Sequence, residues 1–384
     1  MELSIIIPSF NERENVKIIS GRIIESLKNQ DCAYEILFVD DSKDDTPIIL
    51  EQLSKEHSQV RYIHRENGRG LGTAVVEGFN KSIGKKIIVM DSDLQHPPEL
   101  IPLIFQRLKE GTDLIIPSRF VPGGSDGGLN TFRKFVSWTA RTIGRISLKR
   151  MRNITDCTGG YFGLNRSILH NAQLDPIGWK ILMEILVKCE YKTVHEIPYS
   201  FVSRHAGESK MSMKEQWNYL KHIAKLIWNS DEDRRFYLFC AIGALGVGVN
   251  LISLYILVNF LGLGDLRSSI IASFIAMVNN YLWNDNLTWK KYKKKSLKRR
   301  FFQFPKFLIV SVVGIGITAL LAQTASWLDL NIFFGQFAGI VAATLWNFKA
   351  NSLWTWSNKD TNESREKTKV IVSQEPVQLS KQAV

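Results

Sequence analysis

Along the first 116 residues, short apolar runs alternate with segments whose apolar positions recur at helical spacing, as βαβ units do. Residues 3–7, 35–40, 60–64 and 86–90 read as strands, and 16–29, 46–57 and 72–83 as the helices between them. The pattern predicts an open, mostly parallel α/β sheet. In such sheets ligands bind beyond the carboxyl ends of the strands. Three polar stretches directly follow a strand and are the first places to look for a site: 8–12, 40–45 and 91–95.

Farther along, the period changes. Phe132, Phe135, Val136, Thr139, Ile143 and Ile146 stand at helical spacing among Arg133, Lys134, Arg141, Arg145, Lys149, Arg150 and Arg152. That is a basic amphipathic helix, suited to a membrane surface, with a solvated basic face on a domain helix as the alternative. A second stripe in 212–228 (Trp217, Leu220, Ile223, Ala224, Ile227) is expected to run along the interface. Residues 236–261, 268–287, 305–328 and 332–354 are each long enough to cross a hydrocarbon core of ~30 Å. Asn279, Asn280, Asn284, Asn347 and Asn351 within them are costly against lipid and should face other helices.

This apolar half repeats itself. Asn280-Tyr281 through Leu287-Thr288-Trp289 matches Asn347-Phe348 through Trp354-Thr355-Trp356 at a constant offset of 67 residues, and Arg234-Arg235-Phe236 recurs as Arg299-Arg300-Phe301 at an offset of 65. Two parallel helical hairpins, each entered by a basic pair and closed by interfacial aromatics, account for both matches. The expected organisation is a domain at 1–211, an interface helix and linker at 212–235, a four-helix membrane domain at 236–356 and a disordered tail at 357–384.

The formal charge of +12 raises nucleic acid as a partner, but its placement argues otherwise. Lys290, Lys291, Lys293, Lys294, Lys295, Lys298, Arg299 and Arg300 lie between the second and third spans, where positive-inside bias places them. With an even number of spans, the N-terminal domain and both termini are expected on the cytoplasmic side, at the cell membrane in a prokaryote. The opening Met1-Glu2-Leu3-Ser4 runs into a strand with no signal-peptide pattern. The four cysteines lack metal-ligand spacing.

The chemistry is concentrated at Asp91-Ser92-Asp93, followed by Gln95. Two carboxylates one residue apart after a strand reach one hard cation when the turn ends the strict alternation of side chains, and Gln95 adds a neutral oxygen. An all-oxygen set suits Mg2+ or Mn2+. The longer run Asp91-Ser92-Asp93-Leu94-Gln95-His96-Pro97-Pro98-Glu99 resembles the dolichol-phosphate mannose synthase family, within inverting glycosyltransferase family two. The resemblance continues in order through Pro8-Ser9-Phe10-Asn11-Glu12, Val39-Asp40-Asp41-Ser42, Gly70-Leu71-Gly72-Thr73-Ala74, Ser118-Arg119-Phe120, Arg133 and Ser137, residues 156–161, Arg204, and Gly207-Glu208-Ser209-Lys210. The apolar half resembles the four-span GtrA-like module of lipid-linked sugar enzymes.

What the resemblance implies is a Rossmann-like, glycosyltransferase A-type domain on an all-α membrane domain, transferring mannose from GDP-mannose to dolichyl or another polyprenyl phosphate at the bilayer. Pro8, Phe10, Glu12, Val39 and Asp41 would line the nucleoside pocket, with one of Asp40 and Asp41 instead capping the turn. Asp91, Asp93 and Gln95 would hold the metal, with Ser92 standing where relatives more often carry alanine. Arg119, Arg204 and Lys210 would hold the diphosphate or the acceptor phosphate, and Arg133 and Ser137, with Arg119, the lipid phosphate. Asp93 and Arg119 are the catalytic candidates. The alternatives are a polyprenyl-phosphate glucosyltransferase using UDP-glucose and, in another class, a lipid-carrier flippase with a nucleotide-sugar-sensing domain.

Overall fold

A computed structural model describes residues 1–68, 70–127, 131–201, 213–292, 301–357 and 371–374. The chain divides into two compact units, Met1–Ser230 with Lys369–Val384, and Asp231–Thr368.

In the first unit, β1 (Leu3–Ser9), β2 (Tyr34–Asp40), β3 (Val60–His64) and β4 (Lys86–Val89) alternate with α1 (Val16–Leu27), α2 (Thr46–Glu56) and α3 (Leu71–Lys81). Next come α4 (Ile101–Lys109), β5 (Leu114–Ser118), α5 (Thr131–Ser147), β6 (Phe162–Asn165), α6 (Ile181–Lys188), β7 (Thr193–Pro198) and α7 (Met213–Asn229). They build one sheet of order β3-β2-β1-β4-β6-β5-β7, extended at the β7 edge by β8 (Ile371–Gln374). Pairing is parallel except where β6 runs antiparallel between β4 and β5. The expected α/β class is what forms, and the early elements fall within a few residues of their predicted bounds. The strands are apolar on both faces because helices cover both. Ile6, Leu37, Val39, Ile87, Val89, Leu114 and Ile116 point into one core, Ile5, Ile7, Ile36, Phe38, Ile88, Met90 and Ile115 into the other.

Two expectations need correction. The helix α7 was assigned to a separate interface segment, yet Tyr219, Ile223 and Leu226 are buried in the first unit's core and the Tyr219 hydroxyl donates to Ala140 O. Its stripe is split, since Trp217 is 60% exposed and Leu220 43%. Helical periodicity finds an apolar face but does not say what covers it. The tail was expected to be unstructured; Ile371–Gln374 nevertheless pairs in parallel with β7. Four residues are enough because the β7 edge supplies the backbone partners.

The second unit is helical: α8 (Asp231–Asn259), α9 (Asp265–Trp283), α10 (Gln303–Trp327) and α11 (Ile332–Ala350). Of these, α8 and α10 are long and apolar enough to cross a membrane by length and composition. The helices α9 and α11 each pass into a π-helical turn, Asn284–Thr288 and Asn351–Thr355. Within each turn the threonine hydroxyl donates to the asparagine Oδ1, Thr288 to Asn284 at 2.8 Å and Thr355 to Asn351 at 2.6 Å. Trp289 and Trp356 close the two turns and stack on each other, centroids 4.3 Å apart and 2° from parallel. The Asn280 side chain fits against Gly246 and that of Asn347 against Gly314, so each asparagine faces a neighbouring helix at a glycine.

Candidate active site

Strand parity carries the site. On β1, β2 and β4 the residues facing the first core are Ile6, Leu37 with Val39, and Ile87 with Val89. Continuing that alternation gives Pro8 near the end of β1, and Asp41 and Asp91 just past β2 and β4, on the same side of the sheet. All three line one cavity of about 660 Å³, together with Phe10, Glu12, Ser92, Asp93, Gln95, Arg119, Arg133 and Ser137. Val39 does not line it: its side chain is wholly buried in the core. It lies one pleat too early to reach the open edge, which corrects its assignment to the pocket. Arg204 and Lys210 lie outside the described residues.

At the Phe10 end of the cavity, Asp40 and Asp41 divide the two roles considered for them. The buried Asp40 accepts from Ser9 Oγ (2.8 Å) and Ser42 Oγ (2.6 Å), and lies 2.9 Å from His64 Nδ1. Asp40 is thus the turn cap. Asp41 sits at the cavity edge, gripped in bidentate fashion by Arg65 through two 2.6 Å bonds. The loop carrying Phe10 is tied to this turn by Asn11 N donating to Ser42 Oγ (2.7 Å) and Glu12 N to Thr46 Oγ1 (3.0 Å). Phe10 lines the cavity and remains 40% exposed.

In the acidic loop, Leu94 adopts φ 62°, a left-handed conformation costly for a non-glycine residue. This turn folds the chain back, and Gln95 N donates to Asp93 Oδ1 (3.2 Å). Asp91, Asp93 and Gln95 therefore share one cavity. The backbone N–H of Asp91 donates to His96 Nδ1 (3.2 Å), and the His96 ring stacks on Tyr161 at 5.1 Å. Two carboxylates and one amide oxygen are the donor set of a hard cation shared with substrate phosphates, so the residues fit Mg2+ or Mn2+. Among the described residues no group of three acidic, histidine or cysteine side chains offers a cage without that help.

At the cationic end, Arg119 leaves β5 and meets Asp156 in a bidentate pair, Nε to Oδ2 at 2.8 Å and Nη2 to Oδ1 at 3.0 Å. Its guanidinium also lies over the rings of Phe120 and Phe201, at 5.0 and 5.2 Å. Asp156 is held in turn: Glu196 on β7 accepts from Thr155 N (2.9 Å), Thr155 Oγ1 (2.7 Å) and Asp156 N (3.1 Å). Gln374 on the tail strand donates to the other Glu196 oxygen (3.3 Å). Arg133 and Ser137 both reach the cavity from α5, as a four-residue spacing on a helix places them.

Nothing in the pattern of the chain marks Arg65, His96 as a loop anchor, or Lys180. Lys180 stands just before α6 and lines the cavity, its Nζ donating to Thr158 O at 3.0 Å. One signal was present: a cation at a helix N-terminus opposes the helix dipole and invites a reason.

Residues 4–172 match the family model for glycosyl transferase family 2, and residues 238–356 that of the GtrA/DPMS transmembrane domain. The chain is 37% identical over 359 residues to dolichol-phosphate mannosyltransferase of Pyrococcus furiosus, covering 93% of this chain and all of that protein. It is 32% identical over 237 residues to dolichol-phosphate mannosyltransferase of Saccharomyces cerevisiae, covering 59% of this chain and 87% of that one. Among solved structures, glucosyl-3-phosphoglycerate synthase from Mycobacterium tuberculosis aligns with a TM-score of 0.44 at 18% identity, over 59% of this chain and 78% of that one. The chain is thus a family 2 glycosyltransferase with a membrane domain. It belongs to the dolichol-phosphate mannosyltransferase family.

Proposed function

We propose that the donor is GDP-mannose, that the acceptor is dolichyl or a related polyprenyl phosphate, and that transfer inverts the anomeric carbon. The observation that carries this is one cavity lined both by the acidic loop after β4 and by Arg133 and Ser137 of α5. The relatives' shared name supports mannose and dolichol phosphate. In this reading Pro8, Phe10, Glu12 and Asp41 hold the nucleoside. Asp91, Asp93 and Gln95 hold Mg2+ or Mn2+, which when bound neutralises charge on the departing diphosphate. Arg119, Arg133 and Ser137 hold the acceptor phosphate, with Arg204 and Lys210 assigned to the diphosphate.

An oxygen of the acceptor phosphate attacks the anomeric carbon from the face opposite the diphosphate. The carbon–oxygen bond to the diphosphate breaks, and its electron pair departs with GDP. A phosphate monoester is already anionic near neutral pH, so no strong general base is needed. Positioning and charge neutralisation supply most of the rate, and Asp93 acts first as a metal ligand. All four helices of the second unit cross the bilayer in this proposal, with the sheet domain and both termini cytoplasmic.

The test is transfer itself. Purified protein is incubated with radiolabelled GDP-mannose, Mn2+ and dolichyl phosphate, with UDP-glucose in a parallel arm, and lipid is extracted. Label from GDP-mannose alone is expected; none from either donor ends the enzyme reading, and label from UDP-glucose alone reassigns the sugar. Asp91→Ala should abolish transfer. Arg133→Ala should raise the KM for dolichyl phosphate while GDP binding stays near wild type, and equal loss of both would show Arg133 to be wrongly placed.

A further inference from the structure

The strongest unassigned group in the molecule is Lys180. It lines the cavity beside Trp179, whose ring lies 5.4 Å from its ammonium. It is partly exposed, and it lines the cavity. Among the described residues its one hydrogen bond goes to a neutral carbonyl, Thr158 O. Among the described residues no carboxylate lies within ion-pair distance of it, whereas its cationic neighbour Arg119 is already matched by Asp156. Burial and the Arg119 charge push the ammonium down to about 8, with Asp156, Cys157 and Asp91 opposing that shift.

A cation sheltered from bulk water without a counter-charge is costly, and a protein that keeps one has a use for it. Here the cost is compounded by position, since Lys180 is the N-cap residue of α6 and stands at the positive end of that helix. An anion arriving beside it relieves both penalties. Lys180 shares the cavity with Asp91 and Asp93 of the acidic loop and with Arg119, and the charges of Arg119, Asp156 and Asp91 all act on it.

We propose that Lys180 binds a phosphoryl oxygen of a substrate at this junction, supplying the positive charge that Arg119, committed to Asp156, does not supply alone. This rests on the transferase reading above. Two substrates carry the required oxyanion, the diphosphate of the donor and the monoester phosphate of the lipid acceptor. Lysine suits the junction as a compact charge with three rotatable donors, one of which is held by Thr158 O.

The experiment uses the full-length protein in detergent, with Lys180→Met, Lys180→Gln and Lys180→Arg. Three quantities are read: kcat and KM with GDP-mannose and dolichyl phosphate varied separately, GDP binding with Mn2+ by calorimetry, and the melting temperature of the ligand-free protein. Loss of one charge-assisted contact predicts a fall in kcat/KM of about 100-fold in the Met and Gln variants, with Arg recovering at least about tenfold of it. The ligand-free melting temperature should hold or rise in Lys180→Met, because an unmatched charge has been removed.

If the diphosphate is the ligand, GDP affinity falls in Lys180→Met. If the acceptor is, GDP affinity holds and the KM for dolichyl phosphate rises. Unchanged GDP affinity together with unchanged kinetics overturns the proposal. So does a lowered ligand-free melting temperature that tracks the lost activity in all three variants, which would make Lys180 a structural support for the Thr158 carbonyl. A wild-type protein that makes no labelled lipid but binds GDP would defeat the transferase reading; the GDP arm then decides Lys180 alone, with unchanged affinity in Lys180→Met overturning it.

Discussion

Gly160 offers a test of the acidic loop that substitutes none of the candidate ligands. A Cβ built on it would stand 2.8 Å from Asp91 Oδ2, 3.1 Å from Oδ1 and 3.3 Å from Cγ. Comfortable non-bonded separations begin near 3.5 Å, so Gly160→Ala must displace the Asp91 carboxylate by roughly 0.5 Å. The backbone is no obstacle, since Gly160 is not among the positive-φ glycines. The displaced group is the end of a side chain, so the stability cost should stay below about 1 kcal/mol. Metal–ligand distances tolerate only about ±0.2 Å, and misdirected ligands typically cost 10- to 100-fold in affinity. We expect half-saturation by Mn2+ in the transfer assay to rise about 10- to 100-fold with a near-native melting temperature. Gly159→Ala is the control, because a Cβ there meets Asp156 only at an ordinary 3.6 Å. An unchanged Mn2+ requirement in Gly160→Ala would refute the assignment of Asp91 to the metal.

Asp40→Ala should lower the melting temperature strongly, by about 2–4 kcal/mol in stability, because it strips the buried partner of Ser9, Ser42 and His64; Asp41→Ala should instead weaken GDP binding, and the reverse pattern would exchange their roles. Burial alone would raise the Glu184 carboxyl, but hydrogen bonds from His222, Lys188 and the Asp175 amide outweigh it and hold it at about 2. A carboxyl depressed in the folded state stabilises above its unfolded value of 4.5 and loses that contribution as pH falls toward 2, a swing of roughly 3 kcal/mol. Thermal melts from pH 6 to 3 should show a steep acid decline in wild type and a flatter one in Glu184→Gln. In the second unit, Gly314→Val drives a side chain into Asn347 and should cost about 1–3 kcal/mol, read as a lowered melting temperature in detergent. Gly316→Val, with nothing within 4 Å, should be near neutral.

What was legible in the sequence follows from period, and what was not follows from its absence. A strand whose apolar residues alternate between two cores fixes the direction of the side chain just beyond it. Leu37 and Val39 face the first core, so Asp41 emerges beside the cavity, while Ile36 and Phe38 face the second and leave Asp40 to be buried as a cap. That parity separates two adjacent aspartates which composition treats alike, and it removes Val39 from the pocket. A helix start carries no such guide. The position of Lys180 is set by where α6 begins and by which core its apolar run Ile181, Leu182, Met183, Ile185 and Leu186 joins, facts of packing and not of pattern. The split face of α7 and the four-residue strand β8 depend likewise on partners distant in sequence. The two ends of the cavity therefore differ in kind. The acidic end is built from strand termini, where local alternation directs each group, and the cationic end from α5, the start of α6 and the Glu196–Thr155–Asp156 bracket, where only the assembled fold brings charge to the acids.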